Sequence, residues 1–190
     1  MKRDRRGFMK ARSIAVVAMA AGAVFGVSGC QDTSSAGGST TTVPAAAQQQ
    51  AAPNGSGHGL CFDLNSGLAQ DAIAKLSPPP VGKWQTGQAS EDKISSGCDG
   101  VLSWLEVSSN VNHPYTHVLF FTNGTYLGTA TSDPYMYTMI TGKTRTSLSL
   151  TYHWLNDNDA MCCPKGGPSV VTFTLNGTKV TANGQFPPHG

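Results

Sequence analysis

Cys30 is the residue whose neighbours specify a reaction. Val27-Ser28-Gly29-Cys30 closes an apolar run with small residues set directly before a cysteine. This is the lipobox pattern, in which the thiol is acylated and the chain is cut ahead of it. Cys30 is therefore the expected lipidation site and the expected first residue of the mature protein. The other thiols, Cys61, Cys98, Cys162 and Cys163, are even in number in a chain with an export signal, so two disulfides are expected. Cys162 and Cys163 are neighbours, and a ring between adjacent residues strains the peptide between them. Bonds from that loop to Cys61 and Cys98 are the favoured pairing.

Other reactive groups stop short of a motif. Ser90-Glu91-Asp92-Lys93 fits S-x-x-K, but the S-D-N and K-T-G elements that complete a penicillin-interacting site are missing. Gly142-Lys143-Thr144 resembles the end of a phosphate-binding loop whose first glycine would fall at Tyr137. Asp157-Asn158-Asp159 begins like a calcium loop without its central glycine or its closing glutamate, and reads as a turn. Met161, Cys162, Cys163, His113, His117 and His153 include soft ligands suited to Cu(I). Disulfide formation would remove both thiolates, and no C-x-x-C or M-x-x-M repeat occurs. No G-x-S-x-G precedes a helix, and Glu106 and His153 are the only acid–base groups inside clear strand patterns. No catalytic residue, metal or cofactor is expected.

Charge and composition place these residues in three segments. Residues 1–29 carry six Lys and Arg against Asp4, so the formal +2 of the whole chain becomes −3 from Cys30 onward. A mildly acidic chain with no basic stripe is not a nucleic-acid binder. The basic head through Arg12, the apolar core from Ile14 to Val27 and the lipobox form a lipoprotein signal peptide over 1–29. Its Arg5-Arg6-Gly7-Phe8-Met9-Lys10 resembles the twin-arginine export motif, which leaves two routes open, twin-arginine or general secretory. Residues 30–58 hold the lipidated cysteine and a tether of Ser, Thr, Gly, Ala, Gln and Pro without apolar periodicity. Such a segment is expected to be disordered and to span roughly 30 Å. Residues 59–190 are of single-domain length.

Within that domain Asn65-Ser66 offers an N-cap, and Leu68, Ala69, Ala72, Ile73 and Leu76 recur at helical spacing until Ser77-Pro78-Pro79-Pro80 stops the helix. The period then becomes two. Strands are predicted near 83–88, 101–107, 118–121, 126–131, 135–141, 148–155, 170–175 and 179–182, with Asn123-Gly124 and Asn176-Gly177 turning two hairpins. In the second strand Leu102 and Trp104 share one face, and Val101, Leu105 and Val107 the other. Tyr135, Met136, Tyr137 and Met139 alternate along another, giving a core face and a face half-covered by the helix, or else a ligand groove. The fold class is α+β: one short N-terminal helix packed on a curled, mainly antiparallel meander sheet of about seven strands.

Several of these features together resemble the LppP/LprE lipoprotein family of actinobacteria. They are the lipobox, Cys61, Cys98 with Trp104 beyond it, Leu119-Phe120-Phe121, Leu127-Gly128, Tyr152-His153-Trp154 and, above all, Cys162-Cys163-Pro164. The resemblance spans about Cys61 to Phe186. It implies a cell-envelope lipoprotein and supplies no catalytic or binding residue. The expected protein is anchored through Cys30 on the outer face of the plasma membrane and acts as a non-enzymatic interaction or ligand-binding module. The alternatives are an envelope enzyme with a site assembled from distant residues, marked by a deep pocket of perturbed ionisable groups, and a copper-handling lipoprotein. An aromatic groove would favour binding.

Two acyl chains hold a protein on a membrane where one is marginal. Intact-mass analysis is expected to find a mature chain starting at acylated Cys30, and Cys30→Ser to move the protein into the aqueous phase on detergent partitioning. A chain retaining Met1 would exclude the lipobox reading.

Overall fold

Ser66 starts the helix at the predicted place. Its Oγ accepts a hydrogen bond from the Ala69 amide at 3.2 Å and caps α1, Gly67–Ile73, pairing one of the amides that a first turn leaves without a partner. After Ala74 the Lys75 and Leu76 amides donate to the Ala72 and Ile73 carbonyls, a tighter winding that ends the helix before the prolines. A computed structural model of the chain describes residues 51–188. The signal segment, Cys30, the tether up to residue 50 and His189 lie outside the described residues.

The strands are β1 (Trp84–Ala89), β2 (Ser103–Ser109), β3 (Thr116–Thr122), β4 (Thr125–Thr129), β5 (Thr138–Lys143), β6 (Ser147–Trp154), β7 (Gly166–Asn176) and β8 (Lys179–Asn183). All neighbours pair antiparallel. Asn123 and Gly124 join β3 to β4 with φ of 42° and 76°, the positive values that a two-residue I′ turn needs. The second hairpin is shifted by one residue. Asn176 pairs with Lys179, so Gly177 and Thr178 form its turn, with Gly177 at φ 64°.

The strands do not make one curled sheet of about seven. They form two four-stranded sheets, ordered β1-β2-β3-β4 and β5-β6-β7-β8. The reason lies in β2 and β3, which are apolar on both faces. Leu105, Val107, Leu119 and Phe121 pack with Phe62, Ala69 and Ala72, so the α1 segment covers one face. Leu102, Trp104, Val118 and Phe120 pack against Leu148, Leu150, Tyr152, Val171 and Phe173 of the second sheet, with the Phe120 and Phe173 rings 5.1 Å apart. A single sheet with a helix on one side would have left Trp104 and Phe120 in water.

The sheets are stitched at two places. The Leu102 amide donates to the Arg145 carbonyl at 2.9 Å, and Thr116 and Tyr135 exchange backbone bonds of 2.9 and 3.2 Å. The last residues read as tether also join the domain. The Asp63 amide donates to the Gly55 carbonyl at 2.8 Å, and Gly57 and Leu60 bond each other. Gly55 permits this because any Cβ there would lie 2.6 Å from Leu68 Cδ2. Expected disorder therefore does not extend through residue 57.

The cysteine pairing differs from the one favoured above. Cys61 bonds Cys98 with a Cα–Cα distance of 5.5 Å, and Cys162 bonds Cys163. Cys98 lies beside Arg145, whose guanidinium donates to the Gly97 and Asp99 carbonyls, just before β6 begins. Cys162 and Cys163 lie in the loop after β6 ends. Eight strand residues separate those ends by roughly 25 Å, far beyond disulfide reach.

The Cys61–Cys98 bond closes 37 residues of chain, worth about 4 kcal/mol in the chain-entropy account. The Cys162–Cys163 bond closes almost nothing. Urea unfolding should show C61A/C98A destabilised by about 3–4 kcal/mol, with C162A/C163A close to wild type.

Candidate functional site

Two concavities gather side chains capable of recognition or chemistry. The polar one, about 420 Å³, is lined by His58, Asp63, Ser90, Glu91 and Lys143 among others. His58 Nδ1 lies 2.8 Å from Asp63 Oδ2. The Asn65 amide foremost, and His58 with it, holds the Asp63 carboxyl below the ordinary carboxylate value, so it is a weak base. Ser90 is not poised as a nucleophile. It is buried, and its Oγ accepts a hydrogen bond from the Trp104 amide at 3.2 Å.

The other concavity, about 500 Å³, lies at the Thr116–Tyr135 junction of the two sheets and is aromatic. Tyr115, Tyr135, Tyr137 and Trp154 line it, with Asp133 and His153 as its carboxylate and imidazole. Its size falls in the usual range for small-molecule sites. Tyr115 is fixed by Ser109, which exchanges bonds with it through backbone and Oγ at 2.9 Å. Tyr137 sits at φ 52°, a left-handed conformation unusual for a bulky residue. Its carbonyl accepts from the His153 amide at 3.1 Å, and its hydroxyl donates to the Met161 carbonyl at 2.5 Å. Trp154 lies against the β7 backbone. A Cβ at Gly166 would come within 2.4 Å of its indole, so only glycine admits the ring there.

This geometry corrects the reading of Tyr135, Met136, Tyr137 and Met139 as an alternating strand. β5 begins only at Thr138, and the kink at Tyr137 brings Tyr135, Met136 and Tyr137 to the same cavity. Met139 is 52% exposed. The helix belongs to the other sheet and covers none of these residues.

The cysteine loop stands beside the cavity. Asp159 Oδ2 accepts from the Asn156 amide at 2.8 Å and the Lys165 amide at 2.9 Å, closing the loop at its base. Those amides, together with the nearby Lys165 ammonium, hold the Asp159 carboxyl below its ordinary value. Asp157-Asn158-Asp159 is thus a turn, with the Asp159 amide donating to the Asn156 carbonyl.

Several of the suggested copper ligands lie near Tyr137 but do not converge on one point. Cys162 and Cys163 are joined as a disulfide, His113 approaches the Tyr137 ring at 5.9 Å, and His153 lines the aromatic cavity. Among the described residues no three His, Cys, Asp or Glu side chains come together as a metal site. Glu106 accepts a hydrogen bond from Ser108 and is not among the residues lining either cavity. Tyr115, Asp133 and Pro188 reach the aromatic cavity from separate segments, and no spacing in the chain links them.

Residues 99–178 match the family model described as LppP/LprE lipoprotein. The matched segment is narrower than the stretch over which the residues resemble the family. A lipoprotein family associates with membrane through a lipid anchor, while the acceptor expected here, Cys30, lies outside both the matched and the described residues. No helix among the described residues is long and apolar enough to cross a membrane. No curated protein and no solved structure matches the chain.

His117 adds a pH dependence. It lies on β3 against Trp84, with ring centroids 5.4 Å apart, and its Nδ1 is buried without a partner. Burial pushes its pKa below 6.5, with Asp133 opposing. The unfolded chain then binds a proton that the folded one refuses, so stability falls as pH drops below 6.5. Urea midpoints should decrease between about pH 7 and pH 5, and His117→Phe should flatten that decrease. The lowered carboxylates Asp63 and Asp159 act only around and below 3.8.

Proposed function

We propose that this chain is an envelope lipoprotein, held by acylated Cys30 on the outer face of the plasma membrane, whose domain is a non-enzymatic ligand-binding module with the aromatic cavity as its site. The observation that carries this reading is a cavity of about 500 Å³ whose walls include three tyrosines and a tryptophan, each held by backbone bonds or close packing. Large rings fixed in place offer contact area at little entropic cost. Acid–base catalysis needs two titratable groups held within hydrogen-bond reach of a reacting centre. Here Asp133 is an exposed lining residue, and the side-chain hydrogen bond given for it among the described residues is from Ser132 and not from His153.

The rival reading, an envelope enzyme, draws on the His58–Asp63 pair in the polar cavity. A buried Ser90 already occupied by the Trp104 amide and a carboxylate of lowered basicity make that pair better suited to holding the Asn65 turn than to proton transfer.

Native mass spectrometry of protein extracted from its own membrane with mild detergent tests the proposal. A discrete co-purifying species is expected. Trp154→Ala should lower its occupancy at least tenfold with the circular dichroism unchanged, and the species should be recovered unaltered after prolonged incubation. Retention by the variant would remove the aromatic cavity as the site, and chemical conversion of the species would remove the non-enzymatic reading.

A further inference from the structure

We infer that the aromatic cavity takes a small organic cation, an alkylated ammonium group seated among Tyr115, Tyr137 and Trp154 with Asp133 as its counter-charge. The inference rests on the reading of this cavity as the binding site and adds the class of ligand.

None of the lining residues is Lys or Arg, and the carboxylate among them is Asp133. Asp133 is exposed, its Oδ2 accepts a hydrogen bond from the Ser132 hydroxyl at 3.1 Å, and it makes no ion pair among the described residues. A carboxylate at the mouth of a low-dielectric recess repels anions and attracts cations. The Lys165 ammonium of the cysteine loop is not among the lining residues and lies 3.8 Å from Asp159.

The rings supply the second half. An aromatic face carries negative electrostatic potential, and tyrosine and tryptophan faces gathered around a recess are the usual receptor for a methylated ammonium, which is cationic yet weakly hydrated. A sugar would need several directional donors and acceptors around its hydroxyls. In this cavity the Tyr137 hydroxyl is already committed to the Met161 carbonyl, so that residue offers a ligand its ring and not its oxygen. Tyr137 is thereby fixed as a wall.

The probes are choline, its neutral isostere 3,3-dimethylbutan-1-ol and methyl glucoside, titrated calorimetrically into the full lipidated chain in a non-ionic detergent. Choline should bind at least tenfold more tightly than the isostere. Asp133→Asn, a surface change that leaves the fold intact, should weaken choline several-fold without affecting the isostere, and Trp154→Ala should abolish both. Equal affinity for choline and the isostere, preference for the glucoside, or choline binding unaffected by Trp154→Ala would each overturn the cation assignment. If the isostere or the glucoside binds and Trp154→Ala removes it, the cavity remains the binding site and only the ligand class falls. If no probe binds, the cation assignment falls, and the co-purification experiment decides separately whether the cavity binds anything.

Discussion

The β2–β3 pair is apolar on both sides, and the rest of the domain follows from covering it. Leu105, Val107, Leu119 and Phe121 face the helix segment, while Leu102, Trp104, Val118 and Phe120 face the second sheet. Burying one such side chain contributes about 1.5–3 kcal/mol. A whole domain is stable by only about 5–15 kcal/mol, so neither face can be left in water. A seven-residue helix covers one face, and the other requires an area that only another sheet provides. Helix, first sheet and second sheet therefore form layers, each needed by the one beside it.

Passing from one sheet to the other creates the site. Between β4 and β5 the chain leaves the first sheet, touches it once more at the Thr116–Tyr135 bridge, and turns through the left-handed Tyr137 into the second. At such a crossing the ladder is incomplete, and side chains from the starts of β3 and β5 and the end of β6 face one recess. Left-handed conformations of bulky residues persist where the surroundings over-determine them. The Tyr137 carbonyl is held by the His153 amide and its hydroxyl by the Met161 carbonyl. The loop carrying Met161 is itself closed by Asp159. The Tyr137 side chain thus owes its place to backbone contacts at both ends, the arrangement that preserves a binding geometry in the absence of ligand.

The sparse charge of the chain shapes what this recess can do. With 13% charged residues, the domain places its ionisable groups mostly in turns, where several serve as local staples. Asp63 accepts the Asn65 amide, Asp159 closes the cysteine loop, and Arg145 holds the Gly97 and Asp99 carbonyls. Such work leaves few ionisable groups for a cavity and makes aromatic side chains its main resource. The two disulfides divide in a similar way: Cys61–Cys98 ties the segment before α1 to the turn before β2, whereas Cys162–Cys163 ties only its own loop.

Features that a short window encodes were legible in the residues alone. Ser66 and the Leu68–Leu76 spacing specified the helix, because capping and helical period are local properties. Alternation located most of the strands, including the two apolar faces of β2, though it started β5 three residues early, and Asn123-Gly124 specified its turn through positive φ. The Cys162-Cys163-Pro164 run and its companions pointed to the family that residues 99–178 match. How many sheets the strands form emerged only from their packing, since alternation says which side of a strand is apolar and nothing about what covers it. The tertiary structure also decided the cysteine pairing, because the separation of Cys98 from Cys162 is set by the length of β6 and not by their spacing in the chain. The aromatic cavity was hidden for the same reason. Tyr115, Asp133, Trp154 and Pro188 meet across distant segments, and a single left-handed residue, invisible to a period-two pattern, turns Met136 and Tyr137 from opposite faces of a predicted strand toward one recess.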